Sequence, residues 1–476
     1  MSSSSPESFA AARRAVVVAP AGCGKTELIA RAIASATSGR DLLLTHTHAG
    51  VRALRDRLKR DRTPARRVSV DTIAGWCLRF AASYPSLSGL PTSRPTGSAW
   101  NDVYGAAARL LQEPVLRRVI QESYSGIYVD EYQDCTRLHH AVIQELASLL
   151  PCRVVGDPLQ GIFGFGNDPL VDWDSDVFAL FERLPDLGEA WRWRGKNEEL
   201  GDWLLNLRKP LIAGEEIDLA RGPLTWCPSS EVNQNAACLR LLTERKHSIV
   251  AIQKWPAACH AAASRLNGAY SAMEPMECPD LLTWAKQLDS TTGPARAVAV
   301  IDGAKRCFTA LAGLLKRDRE LLDGGMIPTP SPRAKYPEVT GVLALVATST
   351  SFAPVLDALH GIEGIEGTVL YRRELWAEMK RTVRLFEDGG HADLWSAAWA
   401  CRDQARISGR RVDLRTVSRT LLVKGLEFDH AIVLAADDLT AKELYVALTR
   451  GSRSLTVLSR NRLIRFPKPT NMPAGV

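Results

Sequence analysis

Ala15-Val16-Val17-Val18-Ala19-Pro20-Ala21-Gly22-Cys23-Gly24-Lys25-Thr26, followed by Glu27 to Ser35, is the stretch that decides the fold. Ala15 to Val18 is an apolar run and predicts a buried strand; Glu27 to Ser35 predicts a helix. Between them lies the strand–loop–helix setting that a phosphate loop requires. Gly22 and Gly24 let the backbone turn its N–H groups inward, and the helix N-terminus adds partial positive charge. Residues Ala19 to Thr26 are then expected to cradle the β- and γ-phosphates of ATP. Lys25 would neutralise them, and Thr26 would offer its hydroxyl to Mg²⁺. The first position of the G-x-x-x-x-G-K-[ST] pattern is Ala19 rather than glycine. A plain tight connection between strand and helix is the alternative.

A second stretch weighs against that alternative. Gly126-Ile127-Tyr128-Val129 predicts another buried strand, and it ends in Asp130-Glu131-Tyr132-Gln133-Asp134. Two adjacent acids at a buried strand end are costly unless they hold a metal ion and a reacting water. Nucleotide hydrolysis needs both: one carboxylate, Asp130, for Mg²⁺, and a second, Glu131, to polarise the attacking water.

The bulk properties leave room for this chemistry. A chain of 476 residues accommodates about three to four domains of ~100–200 residues. Its composition, 46% hydrophobic and 24% charged, is that of a soluble globular protein. The net charge of +7 permits a polyanionic partner without requiring one. The ten cysteines are scattered without a C-x-x-C pair, so they are expected to be reduced, mostly buried thiols of a cytoplasmic protein. No apolar run approaches the ~20 residues of a membrane span, and residues 1–14 carry no signal-peptide pattern.

Further segments fall into an order. Leu42 to Gly50 (with His46, Thr47 and His48) and Val68 to Trp76 (with Thr72) follow the first helix. Val154-Val155-Gly156-Asp157-Pro158-Leu159-Gln160-Gly161-Ile162-Phe163-Gly164-Phe165 follows the paired acids. Val423-Lys424-Gly425-Leu426-Glu427-Phe428 and Leu444 to Arg450 stand near the end. The series resembles the superfamily 1 DNA helicases of the UvrD/Rep/PcrA type and runs from residue 19 to 450.

The resemblance implies an α/β fold: two RecA-like P-loop domains with small helical insertions and ATP in the cleft between them. It implies a catalytic set of Lys25, Asp130, Glu131, Gln160, Arg450 and an arginine from Trp191-Arg192-Trp193-Arg194. In the family an aromatic followed by arginine packs on adenine and reaches phosphate. Trp191 with Arg192 is the preferred register, and Trp193 with Arg194 the alternative. Glu427 is implied to touch the ribose or the coupling loop. An arginine reaching the γ-phosphate from a facing domain stabilises transition-state charge, worth ~10³–10⁵ in rate, and couples hydrolysis to movement.

For the nucleic-acid track, the resemblance implies that Phe163 and Phe165 stack on successive bases while Gln160 senses the γ-phosphate. Their i, i+2 spacing puts both rings on one side of an extended segment. Stacking of this kind is tolerant of sequence. His46, His48 and Thr72 are implied contacts to the strand; for Trp76, core packing is as good an explanation. The stretch Arg52 to Arg67 holds eight Lys/Arg against Asp56 and Asp61. It either neutralises phosphates along the strand path or is a solvated helix face.

Some positions depart from the family. Residues 1–18 contain no glutamine to read adenine, Gly166 stands where arginine is usual, and Leu421 and Leu422 replace a usual His-Ser. Residues 1–80 and 124–190 are expected to form the first RecA-like domain, with a helical insertion over 81–123. The second is expected over 191–279 and 412–476, with a reduced helical insertion over 280–411. Within that insertion, Lys305 to Leu322 has amphipathic helical spacing. With 26 residues after Arg450, no appended nuclease is expected.

The function expected is an ATP-dependent single-stranded DNA translocase or helicase, travelling 3′ to 5′ on single-stranded or tailed duplex DNA. The alternative is a DNA-stimulated ATPase that regulates a partner nuclease in anti-phage defence or repair. The helicase subunit of the Gabija anti-phage system is a compact relative of that sort. No membrane association is expected.

Overall fold

The computed structural model describes residues 4–35, 39–90, 95, 97–164, 168–331, 335–408 and 412–473. The strands, in chain order, begin with β1 (Arg14–Val18), β2 (Asp41–Thr45), β3 (Val68–Thr72), β4 (Gly126–Val129) and β5 (Cys152–Gly156). They continue with β6 (Glu182–Arg183), β7 (Ile217–Asp218), β8 (Thr225–Pro228), β9 (Ile249–Gln253) and β10 (Ser271–Ala272). The last are β11 (Arg415–Arg419), β12 (Phe428–Val433), β13 (Gly451–Ser459) and β14 (Leu463–Ile464). Two six-stranded sheets result, in the orders β3-β2-β4-β5-β1-β6 and β10-β11-β9-β12-β13-β8. The fold is α/β, with two RecA-like sheets flanked by helices. By tertiary contacts the chain divides into one unit of Met1–Pro228, Val423–Ala431 and Ala436–Val476, and another of Ser229–Leu422 and Ile432–Ala435.

In the first unit every pair of the first sheet is parallel, with Val16 opposite Val154 and Leu43 opposite both Val70 and Tyr128. The apolar runs read from sequence are continuous because both faces are covered. Ala15 and Val17 face a layer formed by Phe9, Leu28, Ile29, Ile33 and Leu54. Val16 and Val18 face the opposite layer, with Ile73, Val103, Val142, Ile143 and Leu146. Parallel strands point their carboxyl ends the same way, so the loops after β1, β4 and β5 open on one edge. β5 lies between β4 and β1, which sets the segment Asp157–Gln160 between the phosphate loop and the paired acids. Over 81–123 the chain forms helices Pro85–Ser88, Ala99–Leu110 and Pro114–Ser123.

In the second unit β10, β11 and β9 pair in parallel, with Arg419 opposite Gln253. Residues 280–408 are mainly helical, and their apolar faces close on Leu281, Trp284, Ile301, Leu343, Leu359, Trp376 and Val383. The amphipathic stretch Lys305 to Leu322 is not one helix. The helix Gly293–Lys305 stops, and helices resume at Leu311–Leu314 and Lys316–Asp323. Between them Phe308 forms an antiparallel bridge with Leu370 and packs edge-on against Trp376 at 4.8 Å. Burying that ring outweighs continuing the helix. Arg372 anchors the same region, donating to both Glu274 oxygens at 2.7 Å and to Asp280 at 2.6 Å.

All ten cysteines are free thiols; nine are buried and Cys227 is half-buried. Among the described residues no helix is long and apolar enough to cross a membrane.

Candidate nucleotide-hydrolysis site

The phosphate loop leaves β1 at Ala19 and enters the helix Lys25–Ser35. Gly22 and Gly24 take φ of +72° and +89°, the left-handed region that favours glycine. A Cβ on Gly22 would also lie 2.6 Å from the Trp193 ring, so a close approach adds to the conformational demand. Lys25 is buried and donates to the Ala19 carbonyl at 3.2 Å, which folds its ammonium back across the loop. Thr26 is the second residue of that helix.

The paired acids stand at the end of β4. Asp130 is buried and accepts the Glu131 backbone N–H at 2.9 Å. Glu131 itself has φ of +56°, a strained conformation for a non-glycine residue, of order 1–3 kcal/mol. Gln133 donates to the Glu131 carboxylate, and its carbonyl oxygen accepts the Asp157 backbone N–H at 2.8 Å. The two acids are pushed apart in proton affinity. Burial, then the charge of Glu131, raises the Asp130 carboxyl well above the usual range. Burial would raise Glu131 too, but Lys25 and Lys424 outweigh it and hold that carboxyl low. The arrangement keeps Glu131 ionised and leaves Asp130 short of positive charge, which fits a divalent cation shared with Thr26.

One arginine approaches the phosphate loop and a second the paired acids. Arg192 hydrogen-bonds through its backbone N–H to the Gly22 carbonyl at 3.2 Å. Its guanidinium donates to the Thr449 carbonyl and to the Glu427 carboxylate, both at 2.7 Å. Its Nε is buried without a hydrogen-bond partner among the described residues. Arg450 is buried and donates to the carbonyls of Val446 and Leu426 at 2.8 and 2.9 Å. Burial, then repulsion from Arg192, lowers Arg450 to about 9. Two neighbouring cations, Arg450 buried and Arg192 half-buried, favour a nearby anion.

The Trp-Arg-Trp-Arg repeat separates by side. Trp193 is buried and its indole N–H donates to the Gly451 carbonyl at 2.8 Å. Trp191 is 51% exposed, lies beside Gly24, and carries Arg194 over its ring at 4.3 Å. Arg192 is thus the inward arginine and Trp191 the open aromatic face. Gln160 is buried and donates to Asp157 at 2.8 Å.

The nucleic-acid candidates are less uniform. Phe163 is half-buried with the Lys424 ammonium 4.8 Å from its ring centre. Lys424 also donates to both Asp134 oxygens at 2.5 and 2.6 Å, so it joins the paired-acid segment to this ring. Phe165 and Gly166 lie outside the described residues. His46 packs inward, its ring 5.5 Å from His139 and its Nε2 3.5 Å from the Cys135 sulfur. His48 is exposed at the first turn of the helix His48–Arg60. Thr72 caps the helix Ile73–Ser83, its hydroxyl oxygen accepting the Gly75 N–H at 2.9 Å. That leaves its hydroxyl proton as a donor. Trp76 is buried and stacked on Phe80 at 5.0 Å, so it belongs to the core. In the basic stretch, Arg57 pairs with Glu27 at 2.5 Å and Arg55 donates to the Val70 carbonyl at 2.8 Å. Arg52, Lys59, Arg60, Arg62 and Arg66 are exposed.

Motif reading passed over several residues that shape the site. Arg208 donates to Asp157 and to the Tyr445 hydroxyl. Arg208 sits in Leu204-Leu205-Asn206-Leu207-Arg208-Lys209-Pro210-Leu211, where an arginine on an apolar helical face was the available signal.

A phosphate loop, paired acids and a buried glutamine at neighbouring ends of one parallel sheet form the arrangement expected of a P-loop nucleotide site. Residues 93–168, which include Asp130, Glu131 and Gln160, match the family of the UvrD/REP helicase N-terminal domain. The ordered motifs from residue 19 to 450 resemble those of the UvrD/Rep-type superfamily 1 DNA helicases. It is also similar to the crystal structure of Pif1 helicase from Candida albicans, with a TM-score of 0.42 and 11% identity over 96% of this chain and 93% of that one. No curated protein matches the chain.

Proposed function

We propose that the chain is an ATP-driven translocase on single-stranded DNA that travels 3′ to 5′ and displaces the complementary strand. The observation that carries the proposal is that Lys25 and Arg450 both act on the charge of Glu131 while Arg192 hydrogen-bonds the Gly22 carbonyl of the phosphate loop. Residues 1–80 and 124–190 would act as one motor domain, and 191–279 with 412–476 as the other. The segments 81–123 and 280–411 would be insertions.

Lys25 and the loop N–H groups would hold the β- and γ-phosphates, with Trp191 offering its open face to the base. Mg²⁺, held by Thr26 and Asp130, would neutralise charge on the phosphates. Glu131, kept ionised by Lys25 and Lys424, accepts a proton from the attacking water. Arg192 and Arg450 stabilise charge as it spreads over the γ-phosphoryl oxygens. Arg192 rests on Glu427, so an arriving phosphate competes for a cation that is already partly neutralised. Phe163 would supply base stacking worth ~1–3 kcal/mol. Lys424, shared between Phe163 and Asp134, ties that ring to the hydrolytic segment. His46, His48 and Thr72 would add contacts to the strand.

Strand displacement on 3′-tailed and 5′-tailed duplexes, with Lys25→Ala as control, tests this function. Displacement of the 3′-tailed duplex by the wild type alone is expected. Equal displacement by both proteins would remove the assigned site. ATP turnover on DNA without displacement would instead make the chain an ATPase switch.

A further inference from the structure

Arg208 opens the short helix Arg208–Ala213 and turns into the protein rather than outward, leaving only 6% of its surface exposed. Burying a guanidinium is costly unless partners satisfy it. Its Nη1 donates to both Asp157 oxygens, at 2.8 and 2.9 Å, and to the Tyr445 hydroxyl at 3.0 Å. The guanidinium also lies over the Tyr445 ring, 5.2 Å from its centre. Its Nη2 is buried without a hydrogen-bond partner among the described residues. Arg208 further belongs to the cations around the phosphate loop: burial raises the Cys23 thiol to about 12, with Lys25, Arg208 and Arg192 pulling against it.

What Arg208 holds matters more than how it is held. Asp157 is wholly buried and also accepts from the Leu159 N–H at 3.2 Å and from Gln160 Nε2 at 2.8 Å. An ionised carboxylate only accepts hydrogen bonds, whereas an amide both donates and accepts. Gln160 must therefore turn its NH₂ toward Asp157, and its carbonyl oxygen faces the other way. Without a fixed acceptor, a side-chain amide has two orientations of similar shape. Arg208, by holding the Asp157 carboxylate in place, selects one of them.

We propose that Arg208 is a positioning residue for nucleotide hydrolysis, fixing through Asp157 which end of the Gln160 amide faces the reacting phosphate and water. The inference rests on the reading of Lys25, Glu131 and Gln160 as an ATP-hydrolysing site. A merely structural ion pair would affect stability and turnover together; a positioning role separates them.

The test measures ATP turnover on single-stranded DNA, KM for ATP and thermal unfolding for wild type, Arg208→Lys, Arg208→Gln and the double variant Asp157→Asn/Arg208→Gln. In Arg208→Gln, kcat is expected to fall on the order of 10²-fold, with KM changed less than about threefold. Arg208→Lys restores much of it, because an ammonium can still donate to the Asp157 carboxylate. The double variant buries no unpaired carboxylate, so it unfolds closer to wild type than Arg208→Gln does. Its kcat stays low, because asparagine can donate or accept and no longer dictates the amide. Recovery of kcat in the double variant alongside stability would overturn the proposal, as would a loss confined to KM. If Arg208→Gln does not fold, the lysine and double variants decide the matter. A wild type without DNA-stimulated turnover would refute the underlying site instead.

Discussion

Glu131→Gln keeps the shape of the residue that faces Lys25 and removes its ability to take a proton. The expected result is a kcat for ATP lower by ~10²–10³-fold with nucleotide binding intact, measured by turnover and by equilibrium titration of a fluorescent ATP analogue. Loss of binding in step with turnover would make Glu131 a scaffold residue. Arg192→Ala and Arg450→Ala should each lower kcat by about 10³-fold, since each removes a guanidinium from developing phosphate charge. Arg192→Ala should also free Glu427, so its KM for ATP changes, whereas Arg450 is tied to backbone carbonyls. The roles proposed at this scale were legible where chemistry forces a residue type: lysine after two glycines, paired acids after a strand. The inward turn of Arg192 was not, because Trp191-Arg192-Trp193-Arg194 reads the same in two registers. Only the packing of Trp193 on Gly22 distinguishes them. Arg208 was hidden for a related reason: its partner Asp157 lies far away along the chain.

The segment after the paired acids shows how one helix start affects stability. Thr136 caps the helix Arg137–Leu149, and His139 returns the bond, its Nδ1 accepting the Thr136 N–H at 3.2 Å. Accepting at Nδ1 requires a neutral ring, and burial lowers His139 to about 4. The unfolded chain takes up a proton near pH 6.5, so the folded state is fully favoured above that pH. Stability is then lost as pH falls from about 6.5 toward 4, on the order of 3 kcal/mol. His139→Gln keeps an acceptor at the same helical position without titrating. It should flatten the acid side of a plot of unfolding midpoint against pH; an unchanged slope would assign the loss to other groups. Elements followed the sequence where apolar runs were long and both sheet faces are covered, as in β1, β4 and β5. Lys305 to Leu322 did not, because its helical spacing coexists with a ring, Phe308, whose partner Trp376 is remote in sequence.

Across the whole molecule, the motifs that build the site are scattered from residue 19 to 450, and folding brings Lys25, Glu131, Gln160, Arg192, Glu427 and Arg450 into one compact unit. The parallel-sheet class was implied by the family resemblance, and the helical character expected over 280–411 was readable from pattern. Which long-range partners meet was not, since Lys424 with Asp134 and Arg208 with Tyr445 are pairings that no local pattern encodes. Phe163→Ala tests the proposed link to DNA: the single-stranded DNA concentration for half-maximal ATPase stimulation should rise about tenfold, consistent with ~1–3 kcal/mol per stacked base. An unchanged value would place the ring in the protein's own packing. The central claim is that this site spends ATP on DNA, and ATP hydrolysis with and without single-stranded DNA, in wild type and Lys25→Ala, tests it most directly. Strong stimulation by single-stranded DNA over duplex DNA and RNA, abolished in Lys25→Ala, is the expected result. Turnover that ignores DNA, or survives loss of Lys25, would contradict it.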